Sequence, residues 1–183
     1  MSKNLANIRI YGEDASAVFV GPLGTAAPVA LAAPATPIRD VGWLGEEGVA
    51  VARKVTVKKF TAHQGAATVK TKITGTDNTF KFQCLEETAI VLGLMHAGSS
   101  GVTATGVSTI TVPGGMTSDP RMWVVDEYEG TVQTRYLFPN GTVGDRGDIV
   151  YKSDEMTVYE FTVEVVGDFT IVTNSTSVVY PIV

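Results

Sequence analysis

From Val49 to Phe60 the chain alternates: Val49, Val51, Val55 and Val57 share one parity, and Lys54, Thr56 and Lys58 the other. A period of two with one apolar side predicts a half-buried β-strand. The loop Thr61–Ala67 (TAHQGAA) follows, and Thr68–Thr74 then repeats the pattern, with Val69, Thr71 and Ile73 set against Lys70 and Lys72. Thr76-Asp77-Asn78 reads as a turn, after which Asn78–Leu85 turns Phe80, Phe82 and Cys84 inward and Lys81 and Gln83 outward. These ribbons in succession predict an antiparallel meander. At Glu86 the period changes. Ile90, Val91, Leu94 and Met95 recur at helical spacing, Glu86 and Glu87 suit the positive end of a helix, and Gly98 can close it. One helix over 86–97, lying on the sheet as a lid, is expected from the stretch Asp40–Leu94.

Strand patterns resume after a Gly/Ser/Thr-rich loop (GSSGVTATG), at Val107–Val112, Arg121–Glu129 and Thr131–Phe138, with Pro139-Asn140-Gly141 reading as a hairpin turn. In Met156–Val166, Tyr159, Phe161, Val163 and Val165 oppose Glu160, Thr162 and Glu164. The tail from Asp168 to Val183 is again Thr/Val-rich and ends on Tyr180-Pro181-Ile182-Val183. The first 40 residues keep no period beyond a short strand signal at Ala15–Val20. Pro22, Pro28, Pro34 and Pro37 make the rest extended or irregular. The expected organisation is an N-terminal extended arm (1–40), a β domain (41–167) and a C-terminal strand or arm (168–183). Val29, Leu31 and Ile38 are apolar, so two readings of the first arm stand side by side: a flexible tail, or an arm that orders against a neighbouring subunit.

Composition narrows the function classes. At 183 residues the chain suits one β domain with a proper core. A net charge of −5 argues against a protein that grips nucleic-acid phosphates through a basic face, while leaving room for a surface that DNA passes without sticking. Cys84 is the only cysteine, so no intrachain disulfide forms. The prolines break the apolar run from Val18 to Ile38, which excludes a spanning helix. Glu13 and Asp14 stand where a secretory signal would need apolar residues.

No catalytic constellation stands out. His63 and His96 lack companion ligands at metal-binding spacing and read as a loop and a helix-end histidine. The serines sit in Gly-rich loops without a nucleophile-elbow pattern, and no phosphate-cradling glycine loop opens a helix. Arg146-Gly147-Asp148 spells an integrin-type tripeptide but reads as a turn. Asn140-Gly141-Thr142 and Asn174-Ser175-Thr176 match glycosylation sequons that matter only in a secreted chain. Asp126, Glu127, Glu129, Glu160 and Glu164 make the late strands acidic. Two readings stand side by side: a solvated sheet face, or the acidic lining of a channel. No enzyme activity, metal or cofactor is expected.

The run VGWLGEEGVAVARKVTVKKFTAHQGAATVKTKITGTDNTFKFQCLEETAIVLGL resembles the major tail protein, or tail tube protein, of long-tailed bacteriophages. A Gly-Trp entry leads to a strand, a Gln-Gly loop at Ala62–Gly65, a second strand, and the strand Thr79–Thr88 that runs into the helix. Pro120-Arg121-Met122-Trp123, the segment Pro139–Asp148, the strand Tyr151–Val165 and the lead-in AVFVGPLGTAAP extend the likeness over about Val18–Val165.

The resemblance implies a mainly β fold, an antiparallel β-sandwich or open barrel with one flanking α-helix. It implies a structural virion protein whose hexameric rings stack into the tail tube, the conduit for DNA ejection, assembled in the host cytoplasm. Tape measure, terminator and distal tail proteins would be its partners, with no membrane and no specific DNA binding. By position, Thr61, Ala62, His63, Gln64, Gly65, Ala66 and Ala67 become the candidate inter-ring loop, residues 1–40 and 168–183 the candidate arms, and the five late carboxylates a candidate acidic lumen. A tail terminator or baseplate ring protein of the same lineage is the near alternative. A carbohydrate- or receptor-binding β module is the distant one. Edge strands that would invite aggregation in a monomer are what a ring-forming subunit pairs between copies.

Overall fold

The computed structural model describes residues 4–63 and 65–178. Its centre is an eight-stranded antiparallel sheet. The strands are β1 (Ala17–Pro22), β2 (Arg39–Asp40), β3 (Ala50–Thr61), β4 (Thr68–Cys84), β7 (Pro120–Glu129), β8 (Val132–Arg146), β9 (Tyr159–Val165) and β10 (Thr170–Thr173). They run in the order β2-β1-β7-β8-β9-β4-β3, and β10 pairs with β8 beyond the end of β9. A separate two-stranded ribbon, β5 (Ser100–Ala104) with β6 (Val107–Thr111), and one helix, α1 (Ala89–Met95), complete the fold.

The sheet is rolled. Phe80 on β4 and Trp123 on β7 meet edge to face with ring centroids 5.6 Å apart, although β9 and β8 separate their strands. Three strand spacings on a flat sheet would hold those strands roughly 14 Å apart. Phe80 also stacks on Phe138 of β8 at 4.7 Å, and Phe82 on Phe161 of β9 at 5.2 Å. The concave face therefore holds the main core, which Val18, Val20, Cys84, Tyr159 and Val163 complete, and α1 closes one end with Val91, Leu94 and Met95. The roll stops short of a closed barrel. Asp40 pairs with Phe19 on β1, and only a few residues later Leu44 bridges to Cys84 on β4, so a short span carries the chain across the seam.

The convex face has its own small core of Ile38, Met122, Val124 and Leu137. Beside it lies a buried ion pair: Arg135 donates through Nε and Nη2 to both carboxylate oxygens of Asp126 at 2.6 Å. Its remaining nitrogen, Nη1, donates to the carbonyls of Ala30 and Ala32 at 3.1 and 2.6 Å. Thus the Pro/Ala-rich segment 23–38 is latched over the convex face.

Several expectations change. Residues 1–40 are not one arm: Val18 and Val20 of β1 are core residues in register with Val125 and Trp123, because their alternation matches the inward parity of β7. Residues 170–173 likewise belong to the sheet, whereas Tyr180-Pro181-Ile182-Val183 lies outside the described residues. No turn forms at Thr76-Asp77-Asn78; β4 runs straight through, with Asp77 opposite Lys54 and Asn78 opposite Arg53. Nor does Pro139-Asn140-Gly141 turn the chain. It forms a bulge inside β8, between Phe138 opposite Trp123 and Gly141 opposite Arg121, and a bulge tolerates the missing N–H of proline. GSSGVTATG contains β5 and not only loop. The helix is shorter than 86–97. Thr88 caps it, accepting from the Val91 amide, while Glu86 accepts from the Trp43 amide and Glu87 from the Tyr159 hydroxyl.

Candidate functional site

Only the first few residues of β3 and the last of β4 lie on the sheet body, since β9 covers β4 no further than Asn78. Beyond that point β3 and β4 leave as a free two-stranded ribbon, exposed on both faces, and the expected half-burial of β3 is not met. The physical reason is that alternation marks an amphipathic strand without saying what covers its apolar side. Cross-strand register puts Val55, Val57 and Ile73 on one flank, which continues the concave face through Val51, paired with Phe80. The other flank carries Lys54, Lys58, Lys70 and Lys72, with the Lys58 ammonium 5.5 Å from the Phe60 ring. Residues 50–77 hold six of the chain's 14 basic residues against one acid, Asp77. None of those six takes part in an ion pair among the described residues.

The sequence-predicted loop is the tip of this ribbon. Thr61 is the last residue of β3, opposite Thr68, and the Ala62 amide donates to the Ala67 carbonyl at 2.8 Å. Gly65 and Ala66 turn the tip with φ of 70° and 50°. His63 is at the tip, and Gln64 lies outside the described residues. A loop around Gly65 between two alternating strands was legible in the sequence. The long ribbon behind it was hidden by the false turn at 76–78.

The late carboxylates do not form one surface. Glu160 and Glu164 share the convex side of β9, exposed, with Gln83 and Thr79 of β4 beside them. Their stems lie over Gly147 and Gly144, where an added Cβ would come within 2.9 and 2.7 Å of them. Asp126 shares that side but is buried under segment 23–38 by Arg135. Glu127 and Glu129, of opposite parity, face the concave side. Glu129 accepts from the Ile10 amide and from Arg9, both at 3.0 Å, which tethers the N-terminal residues and holds its carboxyl below the usual range.

Glu127 lines a feature that sequence reasoning missed, a groove of about 1030 Å³ beside the seam. Val125, Tyr136, Val49 and Val51 contribute apolar floor, and Trp43, 65% exposed, stands at the seam. Its rim is carboxylate-rich and carries no lysine or arginine. Glu13 is spent on the Gly130 amide, Asp40 on the Gly42 amide and Glu86 on the Trp43 amide. Among the described residues Asp14, Glu46 and Glu47 have no hydrogen-bond or ion-pair partner. Desolvation raises the pKa of Glu127, with a smaller push from Asp126. These carboxylates come from three separate loops and two strands, so no spacing rule could have gathered them.

Chemistry of other kinds has little support in the geometry. His96 caps α1 through its backbone amide. Arg146 of the Arg-Gly-Asp tripeptide is structural: its Nε donates to the Leu94 carbonyl at 2.7 Å and its Nη1 to the Val143 carbonyl at 3.1 Å. Among the described residues no cluster of three or more metal-ligating side chains occurs, and no helix is long and apolar enough to cross a membrane.

No individually curated protein matches the chain in sequence. Among solved structures it is similar to a chain in the cryo-EM structure of the anti-feeding prophage (AFP) baseplate, 6-fold symmetrised, at 7% identity and a TM-score of 0.49, covering 90% of this chain and 97% of that one. The family model described as phage tail tube protein matches residues 1–173. With an antiparallel sheet, one helix and a match over nearly its whole length, the chain belongs to the phage tail tube protein family, whose members are structural tail components.

Proposed function

We propose that this protein is the repeating subunit of a phage tail tube, building hexameric rings that stack into the conduit for DNA. Family membership supports the tail role, and one structural observation carries the assembly reading. The β3–β4 ribbon leaves the body with a free edge, an exposed apolar flank and unpaired cations. A lone two-stranded ribbon is marginally stable in water, so a surface on another copy is its natural complement. In this reading the tip Thr61–Ala67 reaches the next ring, and the N-terminal residues before β1, together with the chain beyond β10, act as arms. The convex side of β9, with Glu160 and Glu164, faces the lumen, where negative charge keeps DNA from adhering. Other tail proteins would meet the tube at its ends, and assembly would take place in the host cytoplasm.

Negative-stain microscopy of the purified protein tests the reading. Open-ended tubes of uniform width are the expected result. Isolated rings that never stack would point to a terminator or baseplate ring instead. A monomer that persists at high concentration and binds glycans would sink the assembly reading. Removing only residues 1–12 should weaken stacking and leave the fold intact, whereas removing 1–40 would also delete β1 and its core valines.

A further inference from the structure

The reading above gives the ribbon a second copy to meet and leaves open where on that copy it lands. Two surfaces of this chain answer each other in charge and in apolarity. The ribbon has Lys54, Lys58, Lys70 and Lys72 on one flank, and on the other Val55, Val57 and Ile73 with Arg53 and Lys59 among them. The groove has an apolar floor, an exposed Trp43, and a rim on which Asp14, Glu46 and Glu47 have no partner among the described residues. A chain cannot fill its own groove with its own ribbon. Val49 and Val51 form part of the groove wall, and no later residue of β3 lines it.

We propose that the groove between the seam and the β7–β8 hairpin is the acceptor for the β3–β4 ribbon of a second copy. This rests on the tail-tube reading. The lysine flank would lie against the rim at Asp14, Glu46 and Glu47, and the valine flank would continue the floor of Val51 and Tyr136. Opposite charges at such a rim set register and partner choice, and like charges there exclude it. Trp43 is the aromatic anchor of the kind that dominates interfaces once covered.

Compensating charge reversal tests the proposal. Glu46→Lys with Glu47→Lys, or Lys58→Glu with Lys72→Glu, should each raise the concentration needed for assembly by more than about tenfold. All four changes together should restore assembly to near that of the unaltered chain. The proposal is overturned if the groove pair assembles normally, or if the fourfold variant keeps the native melting temperature and still fails to recover. A chain lacking residues 57–73 separates the two levels. If it assembles, the ribbon's inter-ring role falls, and the acceptor with it. If it does not, while the groove pair assembles normally, only the acceptor falls. Where a variant does not fold, zero-length carbodiimide cross-linking of an isotopically mixed, unaltered assembly decides. Lys58 or Lys72 joined to Glu46 or Glu47 across differently labelled chains supports the proposal, and a map of inter-chain links without them overturns it.

Discussion

Arg135 and Asp126 face each other from adjacent strands, with Nη2 2.6 Å from Oδ2 and both side chains almost wholly buried. The pair is also a clamp, because the third guanidinium nitrogen holds the carbonyls of Ala30 and Ala32. Removing one partner strands a charge in the interior, so Asp126→Ala should cost about 3–5 kcal/mol in urea unfolding. Replacing both, as in Asp126→Leu with Arg135→Met, should cost much less than that. It should nevertheless speed amide exchange over 23–38, since the two carbonyls lose their donor. An unchanged exchange rate in the double variant would show that the segment is held by Ile38 and its apolar neighbours alone.

Gly141 touches Val163 and Trp123. A Cβ there would meet Val163 Cγ1 at 2.8 Å and Trp123 Cδ1 at 3.0 Å, and its carbonyl accepts from the Trp123 indole at 3.0 Å. Gly141→Ala should destabilise the fold by about 1–3 kcal/mol through overpacking and shift the tryptophan fluorescence. Gly130→Ala would meet no atom within 4 Å at its Cβ, but φ of 58° strains any side chain. It should lower stability with no shift in tryptophan emission.

Cys84 should be chemically silent in the folded chain. It is fully buried, and desolvation, with smaller pushes from Asp40 and Glu86, drives its thiol pKa up to about 12. At neutral pH almost no thiolate exists to react. Titration with a disulfide reagent should give no reaction in buffer and one thiol in denaturant. Prompt reaction in buffer would mean that the seam beside Leu44 opens readily.

Acid should release the N-terminal residues. The Glu129 carboxyl lies below its ordinary value of 4.5 because the Ile10 amide and Arg9 hold it charged. A depressed carboxylate contributes stability above its unfolded-state value, and that contribution is lost as pH falls through the folded one. Proteolysis near Ile10 should therefore stay slow at neutral pH and accelerate only once the pH has fallen below the carboxyl's ordinary value of 4.5. Glu129→Gln should speed the same cleavage at neutral pH. The core strands, which do not depend on this carboxylate, should resist in both cases.

Much of the sheet was legible in alternation: Phe80, Phe82 and Cys84, and Tyr159, Phe161 and Val163, all point inward as read. Turn chemistry misled at two places, for one reason. Pro139-Asn140-Gly141 and Thr76-Asp77-Asn78 favour turns locally, yet each has a partner strand whose pairing outweighs that preference. Gly65 between two alternating stretches marked the loop that forms the ribbon tip. The groove was not legible, because its carboxylates meet only when distant loops do. Asp126 was misplaced because nothing near it in sequence announces Arg135 as its partner.

The span from Asp40 to Leu44 ties β1 to β4 with a tether that reaches about 14 Å at full stretch. Such a tether is slack to compression and stiff to extension. Beyond that reach the rolled sheet cannot unroll without breaking the pairing at Phe19 or at Cys84. A load applied to β3, the strand farthest out, is therefore shared with β1 on the other side of the seam. Under tension across the seam, the fold would bear load as a hoop and not as a peeling edge.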